Sequence, residues 1–310
     1  MRFAAPFTVL DGGLSTALEL AGHDLDHELW TARLLSGAPT ALVDAHLAYL
    51  RAGAEILITS SYQASASGLV KGGFNRSDAL GLIGLTTELA REAIRRHADE
   101  RGHEVAALVA ASVGPFGATL ADGSEYRGDY ALDRGRLTEF HLDRLEVLVA
   151  SEPDLLACET IPCIDEAFAL TDALGELRPV PTWITFSCRD GARVSSGEPI
   201  EAAIAAATAL PQVVAVGVNC TAPEHVGELL ERAAAVTPLP LVAYANSGQQ
   251  WDAAGNCWRG DPAGLPSDEQ LGRWIAAGAR LIGGCCGVSP AGIRSLRSWR
   301  DGYLPDGEAA

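Results

Sequence analysis

Short apolar runs alternate along this chain with longer segments whose apolar residues recur every three or four positions. The runs begin near Thr8, Ile56, Ala106, Leu155, Thr182, Val213, Leu239 and Leu281. Each is rich in Val, Ile, Leu or Ala without a polar alternation, the pattern of strands covered on both faces. The longer segments have the period of helices packed along one stripe. The first runs from Pro39 to about Ala52, with Pro in the first turn and Val43, Leu47 and Leu50 on one face. The second is predicted to start with Ser77 as its N-cap and to close at Gly102. The third carries Leu137, His141, Leu145 and Leu148. The rest cover roughly 164–177, 199–210, 223–236, 268–277 and 290–300.

Eight strand–helix alternations predict a parallel sheet with crossover helices. The number eight favours closure into a (β/α)8 TIM barrel over an open doubly wound sheet. The length of 310 residues suits one such barrel. No composition break divides the chain, so residues 1–302 are expected to form a single α/β domain and 303–310 a frayed tail.

In such barrels the chemistry gathers at the C-terminal ends of the strands. Those ends read Asp11-Gly12-Gly13, Thr59 to Gln63, Ser112 to Pro115, Cys158-Glu159-Thr160, Asn219-Cys220-Thr221, Asn246-Ser247-Gly248 and Gly283 to Gly287. Polar and sulfur-bearing groups capping apolar runs are costly to bury unless they converge on a common site. The adjacent pair Cys285–Cys286 is the most informative. Neighbouring residues of a regular strand face opposite ways, so both thiols can serve one ion only if the backbone turns. Gly283, Gly284 and Gly287 are expected to permit that turn. Cys220 ends a strand two positions away round the barrel. Three thiolates with an open fourth position suit a catalytic zinc.

The same residues also fit ordinary packing cysteines, a redox-active vicinal dithiol at Cys285 and Cys286, or a phosphate-binding loop at Gly283–Gly287. The remaining cysteines point to structural roles: Cys158 and Cys188 in strands, Cys163 opening a helix and Cys257 in a polar loop. The histidines form no metal-binding pair. His46 and His141 read as helix residues, solvated or packed.

Composition narrows the setting. Forty acidic residues against 23 basic ones give a formal charge of −17. Such a surface repels nucleic-acid phosphates and anionic lipid, so neither is expected as a partner. Seven cysteines, an odd number in a long chain, do not make a disulfide scaffold. The first ten residues have no signal-peptide pattern and no run is a membrane span, which predicts a reducing cytoplasmic location.

The segments LDGGLSTALEL, LRAGAEILITSSYQAS, VAASVGPFGATLADGSEYRGDY, DLLACETIP, VVAVGVNC, YANSG and ARLIGGCCG, in that order, resemble the homocysteine S-methyltransferase family along nearly the whole chain. The segment DGSEYRGDY looks like the branch that uses S-methylmethionine or S-adenosylmethionine rather than betaine or folate. Folate- and cobalamin-dependent relatives need further domains, so that chemistry is not expected of these 310 residues. The resemblance implies that Cys220, Cys285 and Cys286 bind Zn2+. It implies that Asp11 and Glu159 hold the amino group of homocysteine. Asn219, Ser61 and Tyr62 would line the pocket. Asn246 matches a residue that in some relatives reaches the metal when the thiol is absent. Three positions depart from the pattern: Ala245 where relatives often have Pro, Gln249 where they often have an acid, and Gly287 where they often carry a basic residue. These departures bear on donor preference. The oligomeric state is left open.

Overall fold

The apolar runs fold as parallel strands around a common axis. A computed structural model describes residues 6–25, 34–252, 257–260 and 264–303. The expected tail beyond Tyr303 lies outside the described residues. The strands are β1 (Thr8–Val9), β2 (Ile56–Ile58), β3 (Leu108–Val113), β4 (Leu155–Ile161), β5 (Thr182–Phe186), β6 (Val213–Asn219), β7 (Leu241–Ala245), β8 (Gln250–Asp252), β9 (Cys257–Arg259) and β10 (Ala279–Gly284). All but β8 and β9 form one eight-stranded sheet in the order β1-β10-β7-β6-β5-β4-β3-β2. Every ladder in it is parallel. A parallel bridge from Leu10 to Ile56 links the two ends, so the sheet is a nearly closed barrel rather than an open one.

Side-chain alternation explains the two-layered core. Ala110, Leu155, Ala157, Trp183, Ala215, Val242, Tyr244 and Leu281 form a cluster inside the barrel. Their neighbours Val109, Leu156, Ile184, Val216, Ala243 and Ile282 belong to a second, larger cluster shared with the helices. Continuing the inner series towards the C-terminal ends leads to Ser112, Glu159, Thr185, Asn219 and Asn246. The same period that fills the barrel with apolar groups therefore points these polar groups into its mouth.

The outer helices are α1 (Leu14–Leu20), α2 (Leu34–Gly37), α3 (Pro39–Ala52), α4 (Ala66–Lys71), α5 (Arg76–Arg101), α6 (Arg134–Ala150), α7 (Ile164–Gly175), α8 (Ile200–Ala207), α9 (Pro223–Ala234), α10 (Asp268–Ala276) and α11 (Pro290–Gly302). α3 has the expected bounds. α5 starts earlier than Ser77 predicts, because the Asn75 side chain accepts from Asp78 N–H at 2.9 Å and caps the first turn. Gly102 ends it in the left-handed region, at φ 70°. His46 and His141 are fully buried and packed. Cys158 lies in β4 and Cys163 caps α7. Cys188 lies beyond the end of β5, in an isolated bridge to Val194. Cys257 begins the small strand β9 instead of sitting in a loop. Among the described residues no helix is long and apolar enough to cross a membrane.

Short elements after the strands escape the periodicity: α1, α4, the β8–β9 hairpin and two 3-10 turns at Phe116–Leu120 and Ser124–Tyr126. They are too short to show a helical stripe, and they follow the strand ends where the polar groups collect.

Candidate active site

β6 ends at Asn219, and Cys220 then turns into the left-handed region at φ 45°. Its N–H still donates to Tyr244 O at 3.0 Å, so the turn occurs without leaving the ladder. Cys285 N–H extends the β10–β7 ladder to Ala245 O at 2.8 Å, and Cys286 O accepts from Ser247 N–H at 2.9 Å. The outcome is that Cys220, Cys285 and Cys286 place their sulfurs within 4.8 Å of one another. Cys220 Sγ and Cys286 Sγ are 3.8 Å apart. Two sulfurs bound at about 2.3 Å to one tetrahedral ion would sit about 3.8 Å apart, so the donor set fits a thiophilic metal. All three thiols are free, Cys220 buried and the other two half-buried.

The charges in the cluster are unequal. Hydrogen bonds from Cys285 and Cys286, and then from the Tyr126 hydroxyl, hold the Cys220 thiol well below the usual thiol range. Contact with the Cys220 sulfur pushes Cys285 and Cys286 up in turn, since each shares its proton with that sulfur.

The glycines around the pair act differently from the expected sharp turn. Gly283 and Gly284 are regular strand residues of β10. They are small because a Cβ on Gly283 would lie 2.6 Å from Leu10 Cβ, and one on Gly284 would run into Val288. Only Gly287 has a positive φ, 79°, and its missing Cβ would lie 2.6 Å from Ser247 Cβ. Replacing Gly287 with alanine is expected to destabilise the protein by about 1–2 kcal/mol through the left-handed backbone alone. A denaturant midpoint unchanged from the parent would show that the loop adapts freely.

Asp11 and Glu159 are both almost fully buried; Asp11 O accepts from Gly284 N–H at 3.0 Å, next to Cys285, and Glu159 lies within reach of the Cys220 charge. Asp11 Oδ2 accepts from Ile58 N–H at 2.8 Å, while its Oδ1 is buried without a partner. Burial, and then the nearby Glu159 charge, push the Asp11 carboxyl well up. Burial pushes Glu159 up to about 7, against the hydrogen bonds from the Ser112 hydroxyl and Tyr244. Two buried carboxyls close together without a cation are held up in this way, and an ammonium ion between them would restore both charges.

Asn219 is fully buried, and both its amide oxygen and its amide nitrogen are hydrogen-bonded. Its Oδ1 accepts from Thr160 N–H at 2.6 Å and from the Thr185 hydroxyl at 2.8 Å, and its Nδ2 donates to Thr160 Oγ1 at 2.8 Å. Thr160 is held at φ 61°, where the β4–β5 register shifts between Cys158 and Ile161. Asn219 thus braces the strained residue that follows Glu159. Asn246 stands at the end of the next strand: its Oδ1 accepts from Gly248 N–H at 2.8 Å and its Nδ2 donates to Cys220 O at 3.4 Å. Ser61 is buried and donates to Ser112 O at 2.7 Å. The Tyr62 hydroxyl is pushed well up by burial and then by the charges of Glu125 and Cys220.

Three further mouth residues have roles that only the structure assigns: Ser112, Glu125 and Tyr126. Ser112 holds Glu159. Tyr126 O–H lies 3.1 Å from Cys220 Sγ. The segment carrying it is tied down from outside by a buried network. Phe116 N–H donates to Glu166 Oε1 at 2.6 Å, the Tyr130 hydroxyl donates to Glu166 Oε2, and His141 Nε2 meets Glu166 Oε1 at 2.9 Å. Arg144 extends this network to Gly114 O. The only sequence signal for Glu125 and Tyr126 is their place in DGSEYRGDY, since a 3-10 turn has no apolar period.

A nearly closed parallel barrel whose mouth joins three free thiols to paired buried carboxyls defines a class of protein: a barrel able to hold a thiophilic metal beside a small cationic ligand. The family model described as "Homocysteine S-methyltransferase" matches residues 8–299. The chain is 42% identical over 292 residues to "Homocysteine S-methyltransferase" of Escherichia coli (strain K12), covering 94% of each. It is 43% identical over 319 residues to "Homocysteine S-methyltransferase 4" of Zea mays, covering 99% of this chain and 93% of the relative. The crystal structure of the metallated form of the homocysteine methyltransferase MmuM from Escherichia coli superposes with a TM-score of 0.84 at 41% identity, over 94% of this chain and 96% of that one. This chain belongs to the homocysteine S-methyltransferase family.

Proposed function

We propose that this protein is a cytoplasmic homocysteine S-methyltransferase, a single (β/α)8 TIM barrel over residues 1–302. It would transfer a methyl group from a sulfonium donor, S-methylmethionine or S-adenosylmethionine, to the sulfur of homocysteine, giving methionine. The observation that carries this reading is the meeting of Cys220, Cys285 and Cys286 within 4.8 Å beside two buried carboxyls. Zn2+ bound by the three cysteines would keep the substrate thiol ionised near neutral pH and, through the excess negative charge of its ligands, leave that sulfur electron-rich.

Asp11 and Glu159 would grip the substrate's ammonium group in a mouth where screening by water is weak. Ser112 and Asn219 keep Glu159 in place, and Tyr62 lines the same mouth. In the transfer itself the substrate sulfur supplies the electron pair for the new S–CH3 bond. The donor's S–CH3 bond breaks, its pair stays on the donor sulfur, and a neutral thioether leaves. The thiol proton has already gone to solvent. A free thiol with pKa about 8.5 is only a few per cent ionised at pH 7, so full ionisation is worth roughly 30-fold, or about 2 kcal/mol. Holding the two reactants in line contributes the larger share, up to about 7–11 kcal/mol.

The test is bound zinc measured on the reduced protein, followed by methionine formation from homocysteine with S-methylmethionine, S-adenosylmethionine and betaine in parallel. One zinc per chain and turnover with a sulfonium donor are expected. Turnover with betaine alone would reassign the donor. Metal-free protein with no methyl transfer would end the proposal.

A further inference from the structure

Glu125 is not among the residues assigned above to the metal or to homocysteine. It sits in the 3-10 turn Ser124–Tyr126, immediately before the tyrosine whose hydroxyl lies 3.1 Å from Cys220 Sγ. Its Oε2 is buried and has no hydrogen-bond partner. The turn holding it is firmly placed. Ser187 Oγ donates to Glu125 O at 3.1 Å, and Gly117 packs so closely that a Cβ there would lie 2.6 Å from Glu125 N. Nothing among the described residues uses the free oxygen, yet a carboxylate is expensive to bury unpaired.

A sulfonium ion has a full positive charge and no N–H or O–H to donate. A carboxylate oxygen left without a donor, close to tyrosines and one residue from the group touching the cysteine cluster, is matched to such a cation. An ammonium ligand would call instead for several acceptors arranged around it, as Asp11 and Glu159 are. We propose that Glu125 is the charge-recognising residue of the methyl-donor subsite, pairing with the positive sulfur and selecting sulfonium donors over neutral thioethers. This rests on the donor being a sulfonium. The charge has a kinetic consequence. As the methyl leaves, the electron pair stays on the donor sulfur and its charge disappears, so the pairing is stronger with bound donor than in the transition state. Glu125 therefore acts mainly on donor affinity, and it loses its hold on the neutral product.

The test uses the zinc-loaded protein and two ligands that differ by one methyl and one charge, S-methylmethionine and methionine. In E125Q, calorimetric binding of S-methylmethionine and its KM should each weaken at least tenfold. Methionine binding, homocysteine KM and zinc content should stay within about twofold, and kcat should rise rather than fall, since the lost contact is stronger in the ground state than in the transition state. Glu125→Asp, which keeps the charge one methylene further back, should recover part of the sulfonium preference and serves as the second variant should E125Q fold poorly. Equal weakening of both ligands would make Glu125 an ammonium contact and overturn the proposal. So would unchanged S-methylmethionine binding in a folded, zinc-loaded E125Q. If the parent protein neither binds nor turns over any sulfonium, the donor assignment itself fails, a result separable from either outcome for Glu125.

Discussion

Cys220→Ser is expected to empty the metal site and to lower methyl transfer by at least about 10³-fold while the barrel stays folded. The fold should survive because the backbone of Cys220, not its sulfur, makes the ladder bond to Tyr244 O at 3.0 Å. The sulfur is the β6 contribution to the cluster, 66 residues away in sequence from the Cys286 sulfur that it approaches at 3.8 Å. A hydroxyl in its place is a harder, weakly acidic donor, and two thiolates do not make the closed side of a tetrahedral zinc site. Losing the ion removes the roughly 30-fold gain from thiol ionisation together with part of the alignment term, which is where the larger factor arises. Zinc analysis, circular dichroism and steady-state rates on one preparation check this. The variant also separates a metal site from a vicinal dithiol, because Cys285 and Cys286 remain. Full zinc and parental turnover in C220S would remove the three-thiol cluster from the chemistry.

Glu159→Gln is expected to raise the homocysteine KM by about 10- to 100-fold with zinc still stoichiometric. A charge-assisted hydrogen bond in a buried setting is worth about 1.5–3 kcal/mol, and each 1.4 kcal/mol is tenfold. Its pH signature follows from burial, which pushes the Glu159 carboxyl up to about 7. Only the ionised form pairs with an ammonium group, so affinity should fall as pH drops below about 7. Methionine shows this cleanly, having the same ammonium but no thiol to titrate. Its binding by the parent should weaken between about pH 7.5 and 5.5, and in E159Q that slope should flatten. Stability moves the other way. The folded-state value lies above that of an unfolded glutamate at about 4.3, so the contribution is fully present below that range and is lost as pH rises through about 7. Unfolding midpoints of the ligand-free parent should therefore fall relative to those of E159Q as pH rises across this window. Parental KM values in E159Q would mean that Glu159 only supports the bulge at Thr160.

Several of these residues are legible in the amino-acid sequence itself. A polar group at the end of an apolar run is visible there, so Asp11, Glu159, Asn219 and the three cysteines can be picked from strand ends alone. What each one does at its strand end is a separate matter. Asn219 looks like a pocket residue, and its amide also braces Thr160 and Thr185. Asn246 looks like a reserve ligand, and its side chain also bonds the backbone of Gly248 and Cys220. Gly283 and Gly284 look like turn residues, but they are small because Leu10 and Val288 press against them. An amide or a glycine is compatible with several roles, and only its neighbours select one.

Glu125 and Tyr126 mark the other limit. Tyr126 reaches a sulfur 94 residues further along the chain from a turn with no periodicity to announce it. The sequence by itself determined the alternation of strands and helices, their approximate bounds and the chemical inventory of the strand ends, because these follow from backbone geometry acting over a few residues. Tertiary structure alone decided that β10 lies between β1 and β7, that Leu10 meets Ile56 to bring the barrel nearly to closure, and that thiols, carboxyls and the Glu125 turn share one mouth. Those contacts join residues far apart in sequence, and their energies depend on how layers twist and pack together, which no local pattern encodes.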